Sequence, residues 1–164
     1  MIYEFNAAEV FEIAIQIEEN GRKFYEKAQE KIADPEIKAV FDYLAVEEVK
    51  HKMKFEELKA KLPESAKESK VWDPEDETGR YLKMMADMHV FRSEADLERR
   101  IGSIGSGAEA LNLAIQFEKD SIVFFLAVQE ETDENQGKKL IGQLVKEEQG
   151  HLKKLSLQLR KLKG

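Results

Sequence analysis

Two glutamate–histidine pairs recur in this chain at one spacing. Glu48 and His51 lie in "EEVKH", residues 47–51, and Glu148 and His151 lie in "EEQGH", residues 147–151. On a helix, residues three apart share a face, so each pair can turn a carboxylate and an imidazole toward one centre. The preceding glutamates, Glu47 and Glu147, are turned about 100° away. Glutamate oxygen and histidine nitrogen together are metal-ligand chemistry. A single Glu-x-x-His in a charged helix carries little weight. What gives these two weight is where they fall in the helices around them.

Four long helices are expected. The first opens at Asn6, with Glu9 as its capping-box partner, and runs to about Ile32. The second opens with Asp34 as cap and Pro35 in the first turn, and stops before Pro63. The third opens at Ser106 with Glu109 as box partner, after "GSIGSG". The fourth opens at Asp133 with Gln136 and continues almost to Gly164. Short first-to-second and third-to-fourth connections make each pair an antiparallel hairpin. Between the hairpins lie about forty residues, 63–105. "PESAKESKVWDPEDETG" reads as loop, with Trp72 as a packing anchor, "RYLKMMADMHVF" as a shorter helix and "SEADLERRI" as a capped turn or two. A 25-residue helix spans about 38 Å, so this segment is long enough to cross a bundle and is read as a crossover inside a single domain covering 1–164.

Spacings of three and four trace one face of each helix. The second gives Ile37, Phe41, Leu44, Glu48, His51, Phe55, Leu58 and Leu62, and the fourth gives Ile141, Leu144, Glu148, His151, Leu155, Leu159 and Leu162. The first gives Phe11, Ala14, Glu18, Gly21, Tyr25, Ala28 and Ile32, and the third gives Leu111, Ala114, Glu118, Ser121, Phe125 and Val128. Every seam is otherwise apolar or small, and every seam carries a carboxylate near its middle. The chain also repeats itself at an offset of 100 residues: "AIQIE" at 14–18 matches "AIQFE" at 114–118, and Leu44, Glu47, Glu48 and His51 match Leu144, Glu147, Glu148 and His151. A duplicated helical hairpin with approximate two-fold symmetry follows.

Four facing carboxylates in a core cost several kcal/mol each unless they are paired or protonated. No Lys or Arg stands on the seams beside them. Two divalent cations would balance four carboxylates, and two imidazoles would complete the set. Oxygen and nitrogen donors without sulfur favour iron or manganese over a structural zinc site.

Composition narrows the class further. Charged residues make up 36% and hydrophobic residues 42%, as in a soluble helical protein. A net charge of −7 argues against nucleic-acid or anionic-membrane partners. The absence of cysteine excludes disulfides, thiol nucleophiles and iron–sulfur clusters. No run of about 18 apolar residues is present, so no membrane span is expected. "MIYEFNAAEV" does not read as a signal peptide, and a cytoplasmic location is the expectation.

The combined pattern resembles the ferritin-like superfamily and, within it, the rubrerythrins: one Glu from each of two helices and a Glu-x-x-His from each of the other two. The motifs that carry the resemblance are Glu18 in "AIQIEENGRKFY", "EEVKH", Glu118 in "AIQFEKDSIVFF", and "EEQGH". It implies an all-α four-helix bundle with a long crossover, and a di-iron centre held by Glu18, Glu48, His51, Glu118, Glu148 and His151. Manganese or a mixed pair are alternatives. Glu48 and Glu148 would bridge the metals, Glu18 and Glu118 would be terminal, and each histidine would hold one metal. Tyr25 would partner the ligands from just outside them. The implied activity is reduction of hydrogen peroxide or dioxygen, or oxidation of Fe(II) for storage.

Five departures refine the expectation. Rubrerythrins carry a cysteine-ligated rubredoxin module that feeds electrons to the site; with no cysteine here, the electron donor is expected to be a separate protein or absent. The extra carboxylate that rubrerythrins carry near Glu118 is missing, since Ala114, Ile115, Ser121 and Ile122 occupy the flanking turns. Phe125 stands where the first repeat has Tyr25, so the two metal positions are expected to differ. Val49 follows Glu48, where bacterioferritins place a haem-binding methionine, and no haem is expected. Ferritin cages have a fifth helix that is not read here, while a homo-oligomer is compatible with the sequence. His89, beside Met84, Met85 and Met88, reads as packing on a Met-rich helix. A redox enzyme, an iron-storage protein, a metal-stabilised interaction module and a monooxygenase all stay open.

Overall fold

The computed structural model describes residues 7–64, 77–132 and 137–164. Six helices appear among them: α1 (Ala7–Ala28), α2 (Pro35–Ala60), α3 (Glu77–Met88), α4 (Glu94–Gly102), α5 (Gly107–Glu131) and α6 (Lys138–Leu162). α1 packs along α2 and α5 along α6, so the molecule is built from two helical hairpins. The hairpins meet through α1 against α5 and α2 against α6, which makes an all-α four-helix bundle. No helix among the described residues is long and apolar enough to cross a membrane.

Local chemistry sets the helix ends. Asp34 accepts hydrogen bonds from the amides of Glu36 (2.8 Å) and Ile37 (3.3 Å), and Pro35 occupies the first turn of α2. Ser106 accepts from the Glu109 amide at 3.2 Å, and Glu109 reaches back to the Gly105 amide at 2.7 Å. α1 tightens into a 3₁₀ turn over Gln29–Lys31 before Ile32. Asn6, the expected cap of α1, lies outside the described residues.

α6 departs from the expected start. The proposed caps Asp133 and Gln136 lie outside the described residues, and α6 begins only at Lys138, after Gly137 in the left-handed region (φ 98°). A Cβ on Gly137 would sit 2.3 Å from Leu58 Cδ2, so close approach to the other hairpin also demands glycine there. The α6 seam also ends sooner than expected: Leu155 is buried, but Leu162 is exposed.

The crossover lies across both hairpins, with α3 on α5 and α4 on α1. α3 begins at Glu77, so the end of the expected loop is helical, while Trp72 lies outside the described residues. The anchor that is seen is Phe91. Its ring stands 4.8 Å from Phe24 and 5.4 Å from Phe117, and its carbonyl accepts from Asn20 Nδ2 at 2.9 Å. The Met-rich helix packs differently from its expectation. Leu82 is buried and Met85 partly so, but Met84 and Met88 face solvent, Met88 with 67% of its surface exposed.

Candidate metal centre

The four seams carry their polar residues to one level of the core. α1 supplies Glu18, α5 supplies Glu118, α2 supplies Glu48 and His51, and α6 supplies Glu148 and His151. The four glutamates and His51 expose none of their surface and His151 exposes 3%. Gly21, one turn after Glu18, makes room for them. A Cβ there would lie 2.4 Å from Phe117 Cζ and 3.0 Å from Glu48 Oε2.

Glu148 is the hub. One of its oxygens is 2.8 Å from His51 Nδ1 and the other 2.9 Å from His151 Nδ1. His51 Nδ1 is also 3.5 Å from Glu18, and His151 Nδ1 is 3.8 Å from both Glu48 and Glu118. The imidazole rings stack 5.3 Å apart, 13° from parallel. Both Nδ1 atoms therefore face the carboxylates. Ligand atoms of Glu48, His51, Glu148 and His151 lie within 4.8 Å of one another, close enough to share a metal ion.

Hydrogen bonds do not satisfy this cluster. Both oxygens of Glu18, both of Glu48, Oε2 of Glu118, Oε2 of Glu148 and Nδ1 of His151 are buried without a well-aimed hydrogen-bond partner. The 2.9 Å approach of His151 to Glu148 brings the charges together but is poorly aligned for a bond. Buried polar atoms in folded proteins are nearly always satisfied, and seven at one point need an explanation. Bound cations would supply it: carboxylate oxygens and imidazole nitrogens are the donor set for such ions.

The electrostatics carry the same signature. Burial, then the charge of Glu148, pushes Glu18 well above the usual carboxylate range. Burial and the charge of Glu18 do the same to Glu48. Glu118 is pushed up to about 8 by burial and then by Glu148. Glu148 goes the other way. Burial raises it, but His51 and His151 together outweigh that and hold it ionised. Burial would lower both histidines, yet the carboxylates facing them raise His51 to about 9 and His151 to about 10. Burial thus favours protons on Glu18, Glu48 and Glu118, and the facing carboxylates favour protons on both imidazoles. Metal binding must displace them.

Around the cluster stands an aromatic shell. The Tyr25 hydroxyl donates to Glu118 Oε1 at 2.5 Å, and its ring packs edge-on against Phe41 and Phe117. Burial, followed by the charge of Glu118, raises Tyr25 well above the usual phenol range, so it remains a donor. Phe125, its counterpart in the repeat, is buried against Phe55, 4.9 Å between ring centroids.

Two contacts were not visible in the sequence pattern. Glu147, turned away from the seam, reaches across to the other hairpin: its Oε2 lies 2.8 Å from His51 Nε2, and Lys54 Nζ approaches it at 3.2 Å. His89 is buried, not merely packed. The Phe91 amide donates to its Nδ1 at 3.2 Å, so Nε2 carries the proton, 3.1 Å from Ser121 Oγ. Ser121 stands one turn after Glu118, where a further carboxylate could have stood, and the crossover occupies it. Only a contact 32 residues away in sequence identifies this role, and no local periodicity signals it.

The rubrerythrin family model matches residues 9–159. The chain belongs to the rubrerythrin family. A crystal structure described as that of a ferritin-like diiron-carboxylate protein from Thermotoga maritima is similar over 98% of both chains, with a TM-score of 0.73 and 24% sequence identity. That likeness shows the shared fold. No curated protein matches the chain. For this member of the rubrerythrin family, the buried Glu/His cluster is the candidate di-metal site.

Proposed function

We propose that the protein is a redox protein with a carboxylate-bridged di-iron centre, reducing hydrogen peroxide or dioxygen with electrons from a separate donor protein. The observation that carries this reading is the set of seven buried, unsatisfied donor atoms on Glu18, Glu48, Glu118, Glu148 and His151. Glu18, Glu48, Glu118 and Glu148 would hold the pair through carboxylate oxygens, and His51 and His151 would each supply Nδ1. A bound di-iron pair would supply Fe(II)/Fe(III) redox chemistry, worth the two electrons that reduction of peroxide requires.

The chain's own residues prepare this chemistry. Tyr25 keeps its proton and donates it toward Glu118 Oε1, which fixes the carboxylate's rotation. Phe41 and Phe117, both fully buried, pack edge-on against Tyr25 beside the ligands and keep the surroundings of its hydroxyl apolar, which strengthens charge interactions there. Glu147 accepts the outer proton of His51 and leaves Nδ1 free to act as a ligand.

Anaerobic Fe(II) loading followed by elemental analysis tests the centre: two irons per chain are expected. A ratio near zero, or two ions retained in a Glu48→Ala/Glu148→Ala variant, refutes it. Stopped-flow mixing of the diferrous protein with each oxidant tests the reaction, and oxidation by peroxide is expected to be faster. Faster oxidation by dioxygen supports an oxidase, and mineral growth to hundreds of irons per assembly supports storage.

A further inference from the structure

The internal repeat offers the two metal positions the same ligands, but the structure surrounds them differently. On one side stand Glu18 and His51. His51 Nε2 has Glu147 at 2.8 Å, and neither Glu18 oxygen has a hydrogen-bond partner. On the other side stand Glu118 and His151. Glu118 accepts the Tyr25 hydroxyl, and among the described residues no carboxylate reaches His151 Nε2. Glu47 is the repeat counterpart of Glu147, yet it pairs with Lys50 at 2.5 Å. Symmetry in the sequence is thus broken twice, by one hydrogen bond on each side.

Both differences act in the same direction. A carboxylate that accepts the outer N–H of an imidazole fixes its tautomer and makes the inner nitrogen a stronger donor. A hydroxyl that donates to a carboxylate takes up part of its charge and makes it a weaker one. We propose that Glu147 is a positioning residue that makes the Glu18/His51 position the tighter of the two, so that metals load in order: first at Glu18/His51, then at Glu118/His151, where Tyr25 weakens the carboxylate. The proposal rests on the di-metal reading above.

A nearby observation sets a rival. Ligand atoms of Glu47, His51 and Glu147 lie within 4.8 Å of one another at the rim of the bundle, a set that could hold a cation itself. In that case Glu147 would be a ligand of a third ion.

Titration of the metal-free full chain with cobalt(II), followed by calorimetry and by visible absorption, distinguishes these cases. The wild type is expected to bind two ions in two resolved steps. Glu147→Gln should weaken the tighter step about 10- to 100-fold and leave the other within about two-fold. Tyr25→Phe should strengthen the weaker step and spare the tighter one. Glu47→Gln removes the same charge from the same rim but leaves the Glu147–His51 hydrogen bond in place, and should change neither step. Glu147 is 41% exposed, so its variant should fold as the wild type does, which thermal melting of the apo protein checks. Equal weakening of both steps by Glu147→Gln, an equal effect of Glu47→Gln, or a third cobalt lost with Glu147 overturns the proposal. Absence of any bound cobalt overturns the metal centre itself.

Discussion

Replacing Glu118 by glutamine should stabilise the metal-free protein and weaken the metal-loaded one. Glu118 is fully buried, and its carboxyl is held at about 8 against 4.5 in the unfolded chain. Below pH 4.5 both states hold the proton and the group costs nothing. As pH rises above 4.5 the unfolded chain releases its proton while the folded one keeps it, so stability falls until about pH 8. At pH 7 this amounts to about 3 kcal/mol, and at pH 5 to less than about 1 kcal/mol. Glutamine keeps the size and the oxygen that accepts from Tyr25 but needs no proton. Apo Glu118→Gln should therefore gain about 3 kcal/mol at pH 7, a rise in melting temperature of roughly 6–12 °C for a chain of this length, and little at pH 5. Urea unfolding in excess chelator at both pH values measures it. The same variant titrated with metal should bind the second ion more weakly, because a ligand oxygen has become an amide. A variant destabilised equally at pH 5 and pH 7 would refute the reasoning, since it would mean that Glu118 is not carrying a proton into the core.

Three further outcomes follow from the geometry. Gly21→Ala forces a Cβ to 2.4 Å from Phe117 Cζ and should cost about 1–3 kcal/mol by chemical denaturation, with a measurable loss of metal affinity through Glu48. His89 is held neutral by burial, down to about 4, so stability should be full above pH 6.5 and fall by about 3 kcal/mol as pH drops toward 4; His89→Asn should lack that component in pH-dependent unfolding. Metal at about 100-fold above its dissociation constant should add about 2.7 kcal/mol per site to the unfolding free energy, reversed by chelation and restored on reloading. Identical melting with and without metal would argue against binding within the core.

The seams were readable because every residue on them answers to the same period. From Phe11 to Ile32 and from Ile37 to Leu62, each expected core position is buried, including the glutamates that an apolar seam should not contain. Asp34 and Ser106 were equally readable, since a cap acts on amides two or three residues away. What escaped depends on partners distant in sequence. Glu147 looked like surface because its helix turns it outward, yet the neighbouring hairpin brings His51 to it. Phe91 anchors the crossover through Asn20 and Phe24, in a segment with no period of its own. Asp133 and Gln136 match a capping pattern but lie outside the described residues, whereas the start of α6 that is seen depends on Gly137, with its left-handed backbone and its approach to Leu58. His89 escaped for the same reason: one buried imidazole in a Met-rich helix has no local sign of the serine that it meets.

The division into two hairpins has a consequence for the order of folding. Most helix contacts in the bundle lie within a hairpin, between segments joined by a few residues, and such local contacts form early. Docking one hairpin on the other requires closure of the long crossover and is the slower, entropically costly event. Each hairpin carries three of the six candidate ligands, so neither can assemble the centre alone. Until docking, Glu18, Glu48 and His51 stay hydrated on one hairpin while Glu118, Glu148 and His151 stay hydrated on the other. A metal ion captured by either half becomes a tether that lowers the barrier to joining them. Refolding rate should then rise with free metal concentration, while the unfolding rate reports how long the finished clamp holds.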